Sequence, residues 1–267
     1  MLTFVEMARS NDMSDNFVNK DLQTDVKRWV RIGVNDPFFA KAEDFRRRYR
    51  LNINCLKNYC RLATGYRGIP VVVMQNPCSN HTKGFHDMFT ENSALALLRN
   101  LFNEINLDIE HDIPVIDICP MISDEWAQSM TESGQSREVQ QAIYDAYELT
   151  AQYLEALQPS TVVVLQCATS SCAASKHPFL GRVVHPLAQS LCSSMDEATQ
   201  CRYRVVRVLN HHVCMVPGFH PSRINRDIDP SRKNSLTAKL RRILSNVYSP
   251  YSQWINRSVS AEWVEYL

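Results

Sequence analysis

Four polar stretches follow apolar runs in this chain. Gln75-Asn76-Pro77 follows IPVVVM (69–74), and Asp117 through Cys119-Pro120 ends IPVIDI (113–118). Gln166 and Thr169-Ser170-Ser171 end and follow STVVVLQC (160–167). Pro217-Gly218-Phe219-His220-Pro221-Ser222 follows YRVVRVL and HHVCMV (203–216). Together they offer amides, a carboxylate, hydroxyls and an imidazole. Such a set can hold a water, read the edge of a polar ring, and stabilise a leaving group that gains negative charge. Asn76 is uncharged, so it suits positioning a water better than abstracting a proton.

A parallel sheet would bring these stretches together, because the C-terminal ends of its strands share one rim where α/β proteins bind ligands. The elements fit that frame. Residues 37–63 carry apolar residues at spacings of three and four and read as helix; TGYRG then breaks it. The β-branched run 69–74 reads as a buried strand. Residues 93–105 form an amphipathic helix capped by Ser93, and 136–157 a long helix ended by Pro159. A helix is expected around 184–195, one or two strands over 203–216, and a last helix over 235–248. Residues 249–267 are aromatic and mixed, expected to pack on the surface. Strands alternating with helices predict a three-layer α/β/α domain around a mostly parallel sheet of four or five strands. Residues 1–35 are polar and set apart as an extension, leaving 36–267 as one domain.

Other chemistry has little support. There is no GxGxxG and no GxxxxGK[ST], so nucleotide cofactors lose their usual cradle. There is no CxxC, and His211-His212 lacks a third ligand at a suitable spacing, so it reads as a polar turn between strands. Ser170-Ser171-Cys172 with His177 could pair a nucleophile and a base, but no elbow motif surrounds them. No metal or organic cofactor is expected.

The hydrophobic fraction of 45% over 267 residues allows a sizeable core. No run is long enough to span a membrane, and the first ten residues do not read as a secretory signal. Nine scattered cysteines, with Cys119, Cys167 and Cys214 in or beside apolar runs, behave like small hydrophobes of a reducing, intracellular compartment, nuclear or cytoplasmic. Net charge is +1, but it is unevenly spread. Between Phe85 and Ala156 the only Lys or Arg are Arg99 and Arg137. Lys41, Arg46, Arg47, Arg48, Arg50, Lys57 and Arg61 lie before that stretch; Arg223, Arg226, Arg232, Lys233, Lys239, Arg241 and Arg242 lie after it. A positive face suited to nucleic acid could result, or simply solvated helix faces.

Over about 69–230 the chain resembles the uracil-DNA glycosylase superfamily. An apolar strand ends in Gln75-Asn76-Pro77, a second strand has a polar end, and His220-Pro221-Ser222 follows a later strand. The resemblance implies that Asn76 positions the attacking water, with Gln75 beside it. Phe89, thirteen positions after Asn76, would stack on an everted base, with Phe85 as a second candidate. His220 would bond the base carbonyl that gains charge. Ser222 would grip DNA phosphate, with Arg223 and Arg226 supplying charge, and Ile224 would fill the gap left by the base.

Two departures stand out. Met74 occupies the place of the motif's first glycine, where its side chain would crowd DNA. Asp117 stands where uracil-reading members carry Asn. An ionised Asp only accepts hydrogen bonds, so a base presenting amino or N–H groups would suit it better than uracil, unless burial keeps it protonated. The expectation is a monomeric DNA glycosylase releasing a modified or mismatched base, with DNA as partner and no membrane. The alternatives are an inactive protein of the same fold that binds nucleic acid or protein, and a small-molecule α/β hydrolase using Asp117 or His220 as base.

Overall fold

The computed structural model describes residues 31–91, 93–166, 169, 176–200 and 202–264, with backbone alone at 253–254 and 256–264. Its elements begin with Arg31–Ile32 (β1), Phe39–Arg48 (α1), Ile53–Leu62 (α2) and Gly65–Tyr66 (β2). Val71–Met74 (β3), Ala94–Asn103 (α3), Val115–Asp117 (β4), Asp124–Glu132 (α4), Ser136–Leu157 (α5) and Thr161–Val164 (β5) follow. Pro186–Ser190 (α6), Met195–Gln200 (α7), Arg204–Val208 (β6), His211–Pro217 (β7), Ser222–Asn225 (α8) and Pro230–Val264 (α9) complete the series.

Five strands form one sheet in the order β4-β3-β5-β7-β6. The first four are parallel, and β6 joins β7 antiparallel as an edge hairpin. The central strands are nearly pure valine because both of their faces are buried. Alternation then sorts their side chains. Val71, Val73, Ile116, Val162 and Val164 enter the core with α1, α5 and α6. Val72, Met74, Val115, Val163 and Val216 enter the opposite core with α3 and α9. The result is a three-layer α/β arrangement: a mixed, mostly parallel sheet flanked by helices.

Several sequence expectations hold closely. The long helix spans Ser136–Leu157, and Ser93 accepts a hydrogen bond from the Ala96 N–H at 3.0 Å, as a cap should. Others need correction. The helix expected over 37–63 is two, because Arg50 takes φ +52 and Asn52 starts a new cap through the Asn54 N–H. The helix expected around 184–195 is the single short turn α6, with α7 beginning at Met195. The last helix does not stop at 248. It continues through Pro250 because Tyr248, Tyr251 and Ile255 recur at helical spacing and stay buried. Helix α4 was not expected at all. Within the stretch set apart as an extension, Ile32 is 3% exposed and its strand β1 pairs with β2.

Candidate functional site

Parallel pairing places the ends of β4, β3, β5 and β7 at one rim. Backbone bonds fix the departing segments there. Ile118 and Cys119 N–H donate to the carbonyls of Met74 (2.9 Å) and Gln75 (3.1 Å); Gly218 N–H donates to that of Val164 (2.8 Å). At the usual strand spacing, β3 and β7 lie about 10 Å apart and β4 and β7 about 15 Å. Asn76, Asp117 and His220 therefore border one rim. Gly218 is required by close approach: a Cβ there would overlap Leu165 Cδ2 and lie 3.3 Å from the Val164 oxygen. Gly218→Ala is expected to lower stability by about 1–3 kcal/mol, read as a fall in the urea midpoint.

At the β3 end, Asn76 Nδ2 donates to Asp124 Oδ1 (2.9 Å) and the Ile122 carbonyl (3.3 Å). Two acceptors on one side fix the amide orientation. Gln75 Nε2 donates to Asn76 Oδ1 at 3.1 Å. Asp124 Oδ1 also lies 3.2 Å from His177 Nε2. The His177 ring is held from its other side, because Nδ1 accepts the Phe179 (3.3 Å) and Leu180 (3.1 Å) N–H groups. The His177 contact and the Asn76 amide hold the Asp124 carboxyl below its usual range against the opposing effect of burial. Asp124 opens helix α4, whose Ser123 cap accepts from the Trp126 N–H. That Ser-Asp-Glu-Trp start is a legible helix signal, yet the role of Asp124 beside Asn76 is visible only in three dimensions.

Asp117 is register partner to Met74 on β3, so both point to the same sheet face. No hydrogen bond or ion pair to its carboxyl exists among the described residues. Burial pushes it up to about 7. On that same face Phe85 (5% exposed) and Phe89 (8%) pack in the α3–α9 core with ring centroids 5.2 Å apart. Arg61 lies 3.8 Å over the Phe85 ring, and Arg99 lies 4.6 Å over that of Phe89. The structure thus brings Met74, Asp117, Phe85 and Phe89 to one layer, with a cation already on a face of each Phe.

At the β7 end, the Ser222 N–H donates to His220 Nδ1 (3.2 Å), and the Ser222 hydroxyl lies 2.8 Å from the same nitrogen. Desolvation, then the charge of Arg226, push His220 down to about 4, so its ring is neutral. With Nδ1 accepting, the proton sits on Nε2, which makes no hydrogen bond among the described residues. Arg223 and Arg226 are exposed beside it. Ser222 is committed to the ring, and Ile224, 1% exposed, is packed in the core and away from solvent.

Buried His81 is likewise pushed down to about 4 by desolvation. For both rings the unfolded chain takes up protons first on acidification, so stability falls between roughly pH 6.5 and pH 4. The expected loss is up to about 1.4 kcal/mol per pH unit per ring. Urea midpoints at pH 7, 6 and 5 measure it, and His81→Leu should flatten the slope.

The two basic flanks differ. Arg46 and Arg47 pair with Glu43, Arg48 with Asp145 and Arg61 with Glu110. After residue 220, Arg232 pairs with Asp227 and Arg241 with Glu104. Arg223, Arg226, Lys233, Lys239 and Arg242 have no ion-pair partner among the described residues. In the first flank Lys41, Arg50 and Lys57 likewise have no ion-pair partner among the described residues, so charge without an ion pair lies on both flanks, with more of it after residue 220.

Among the described residues no group of three or more His, Cys, Asp or Glu could hold a metal, and no helix is long and apolar enough to cross a membrane. Cys119 and Cys214 are free thiols, whereas Cys192 is disulfide-bonded. Cys167, Ser170, Ser171 and Cys172 lie outside the described residues. His177, weighed from the sequence as a base for that loop, lies 3.2 Å from Asp124 Oδ1. No protein-family model matches the chain, and no curated protein matches it either.

Proposed function

We propose that this chain is a DNA N-glycosylase with a uracil-DNA glycosylase-like fold, hydrolysing the bond between deoxyribose and a modified or mismatched base. The observation that carries the reading is the common rim bearing Asn76, Asp117 and a neutral, Nε2-protonated His220, with Arg223 and Arg226 alongside and without an ion pair among the described residues. A duplex base must be flipped out at a cost of a few kcal/mol before it can be attacked. Exposed arginines would hold the backbone, Asn76 would orient a water, and His220 Nε2–H would meet the charge that builds on the departing base.

One observation favours a non-catalytic binding module of the same fold. Phe85 and Phe89 already stack with Arg61 and Arg99, and Met74 fills the position where close DNA approach needs a glycine. The test is base release from oligonucleotides carrying uracil, hypoxanthine, xanthine or a mismatched thymine. Release that depends on Asn76 and His220 supports the enzyme. Silence on every base, with salt-sensitive DNA binding retained, supports the module. Absence of DNA binding at low salt would point to a small-molecule hydrolase.

A further inference from the structure

Asn76 has no charge, so the glycosylase reading leaves the proton of the attacking water without a destination. Resting on that reading, we propose that Asp124 is the general base that receives this proton, with His177 as its positioning residue. Both close contacts fall on one oxygen: Asn76 Nδ2 at 2.9 Å and His177 Nε2 at 3.2 Å meet Oδ1. Oδ2 makes no hydrogen bond among the described residues, and the Asp124 side chain is 54% exposed. The carboxylate is therefore held at one oxygen by the Asn76 amide, with His177 close by, and is solvent-accessible at the other.

His177 is built to give this orientation. Its side chain is 9% exposed, and its Nδ1 accepts two backbone N–H groups, which leaves the proton on Nε2; that nitrogen is buried, lies 3.2 Å from Asp124 Oδ1, and makes no well-aligned hydrogen bond among the described residues. This is a carboxylate flanked by a buried imidazole N–H that has no better partner among the described residues, and the long separation of 76, 124 and 177 in the chain explains why no local motif announces it. Among the described residues, the titratable groups beside Asp124 include Cys119, whose thiol is buried and neutral, and Glu125, next to it on the same helix.

The step balances. The water oxygen bonds to C1′ of the sugar as the C1′–N bond breaks, and the electron pair leaves on the base, met by His220. One water proton passes to Asp124 Oδ2 and on to solvent, and the base takes a proton from solvent. The products are an abasic sugar and the free base.

Single-turnover base release tests this, using the full chain on whichever substrate the wild type cleaves. Asp124→Asn is expected to lower the rate about 100-fold with DNA affinity retained, and to remove the acid limb of the pH–rate profile. Asp124→Ser, which keeps a good first-turn helix residue, should lose the same, and thermal melting confirms that both variants fold. His177→Ala should lose less and move the acid limb to higher pH, because Asp124 loses the donor that favours its ionised form. A purely structural Asp124 would not move that limb. If the wild type turns over and Asp124→Asn matches it, this inference fails alone. If the wild type releases no base, both readings fall.

Discussion

His220→Ala lowers base release by roughly 10²–10³-fold while leaving DNA affinity close to that of the wild type. The size follows from the geometry. Ser222 occupies Nδ1, so the only proton on the ring is at Nε2, and the ring is neutral because charging it would be opposed by desolvation and by Arg226. A neutral donor adds little to binding a ground-state carbonyl but more to the transition state, where the base carries negative charge. The loss therefore falls on the rate of the chemical step. Because the ring stays neutral down to about pH 4, the wild-type profile should show no histidine step near pH 6.5. Arg223→Ala and Arg226→Ala should do the opposite: weaken DNA binding, and lower the salt slope by about one each, with little effect on the chemical step. Single-turnover rates and filter-binding affinities at several salt concentrations separate the two. A His220→Ala variant with an unchanged rate would remove the ring from the chemistry.

What could be read from the sequence was local. The valine runs, the Ser93 cap and the 22-residue helix α5 each announce themselves within a few residues. The order of the runs also predicted a parallel sheet, and hence a shared rim for Asn76, Asp117 and His220. What could not be read depends on contacts far apart in sequence. Arg50 and Leu209 adopt positive φ without a glycine to mark them, so the break after α1 was hidden, and the turn expected at His211-His212 falls instead at Leu209-Asn210, with both histidines in β7. Helix α9 passes Pro250 because burial of Tyr251 and Ile255 outweighs a lost backbone bond. The Arg99–Phe89 stack and the Asp124–His177 contact join residues 10 and 53 positions apart on different elements, and no periodicity encodes them. Composition also could not show that Arg46, Arg47, Arg48, Arg61, Arg232 and Arg241 would be tied to carboxylates while Arg223, Arg226, Lys233, Lys239 and Arg242 made no ion pair among the described residues.

Asp117→Asn makes the protein more stable than the wild type at pH 8, and nearly equal to it at pH 4. In the folded chain this carboxyl is raised to about 7 by burial, against an ordinary value near 3.8. Below that ordinary value both states hold the proton. As pH rises, the unfolded chain ionises first, so the folded state is penalised progressively, and the cost is complete above about pH 7. Three units correspond to about 4 kcal/mol, an upper bound because solvent reaches part of the residue. An amide never ionises and escapes the penalty. The neighbouring groups do not offset it, since the Tyr59 hydroxyl and the Cys119 thiol are themselves pushed up and stay neutral. The two acid-sensitive histidines are common to both proteins and cancel in the difference. Urea midpoints for the pair at pH 4, 6 and 8 measure the divergence; a variant no more stable at pH 8 would mean the carboxylate has found a partner. The same titration sets what β4 shows at the rim. The acid form presents one O–H donor and one carbonyl acceptor, the pair that an Asn amide offers to an imide edge; the ionised form presents acceptors alone. Release of an imide base such as uracil by the wild type should therefore decline through pH 7, and release by Asp117→Asn should not.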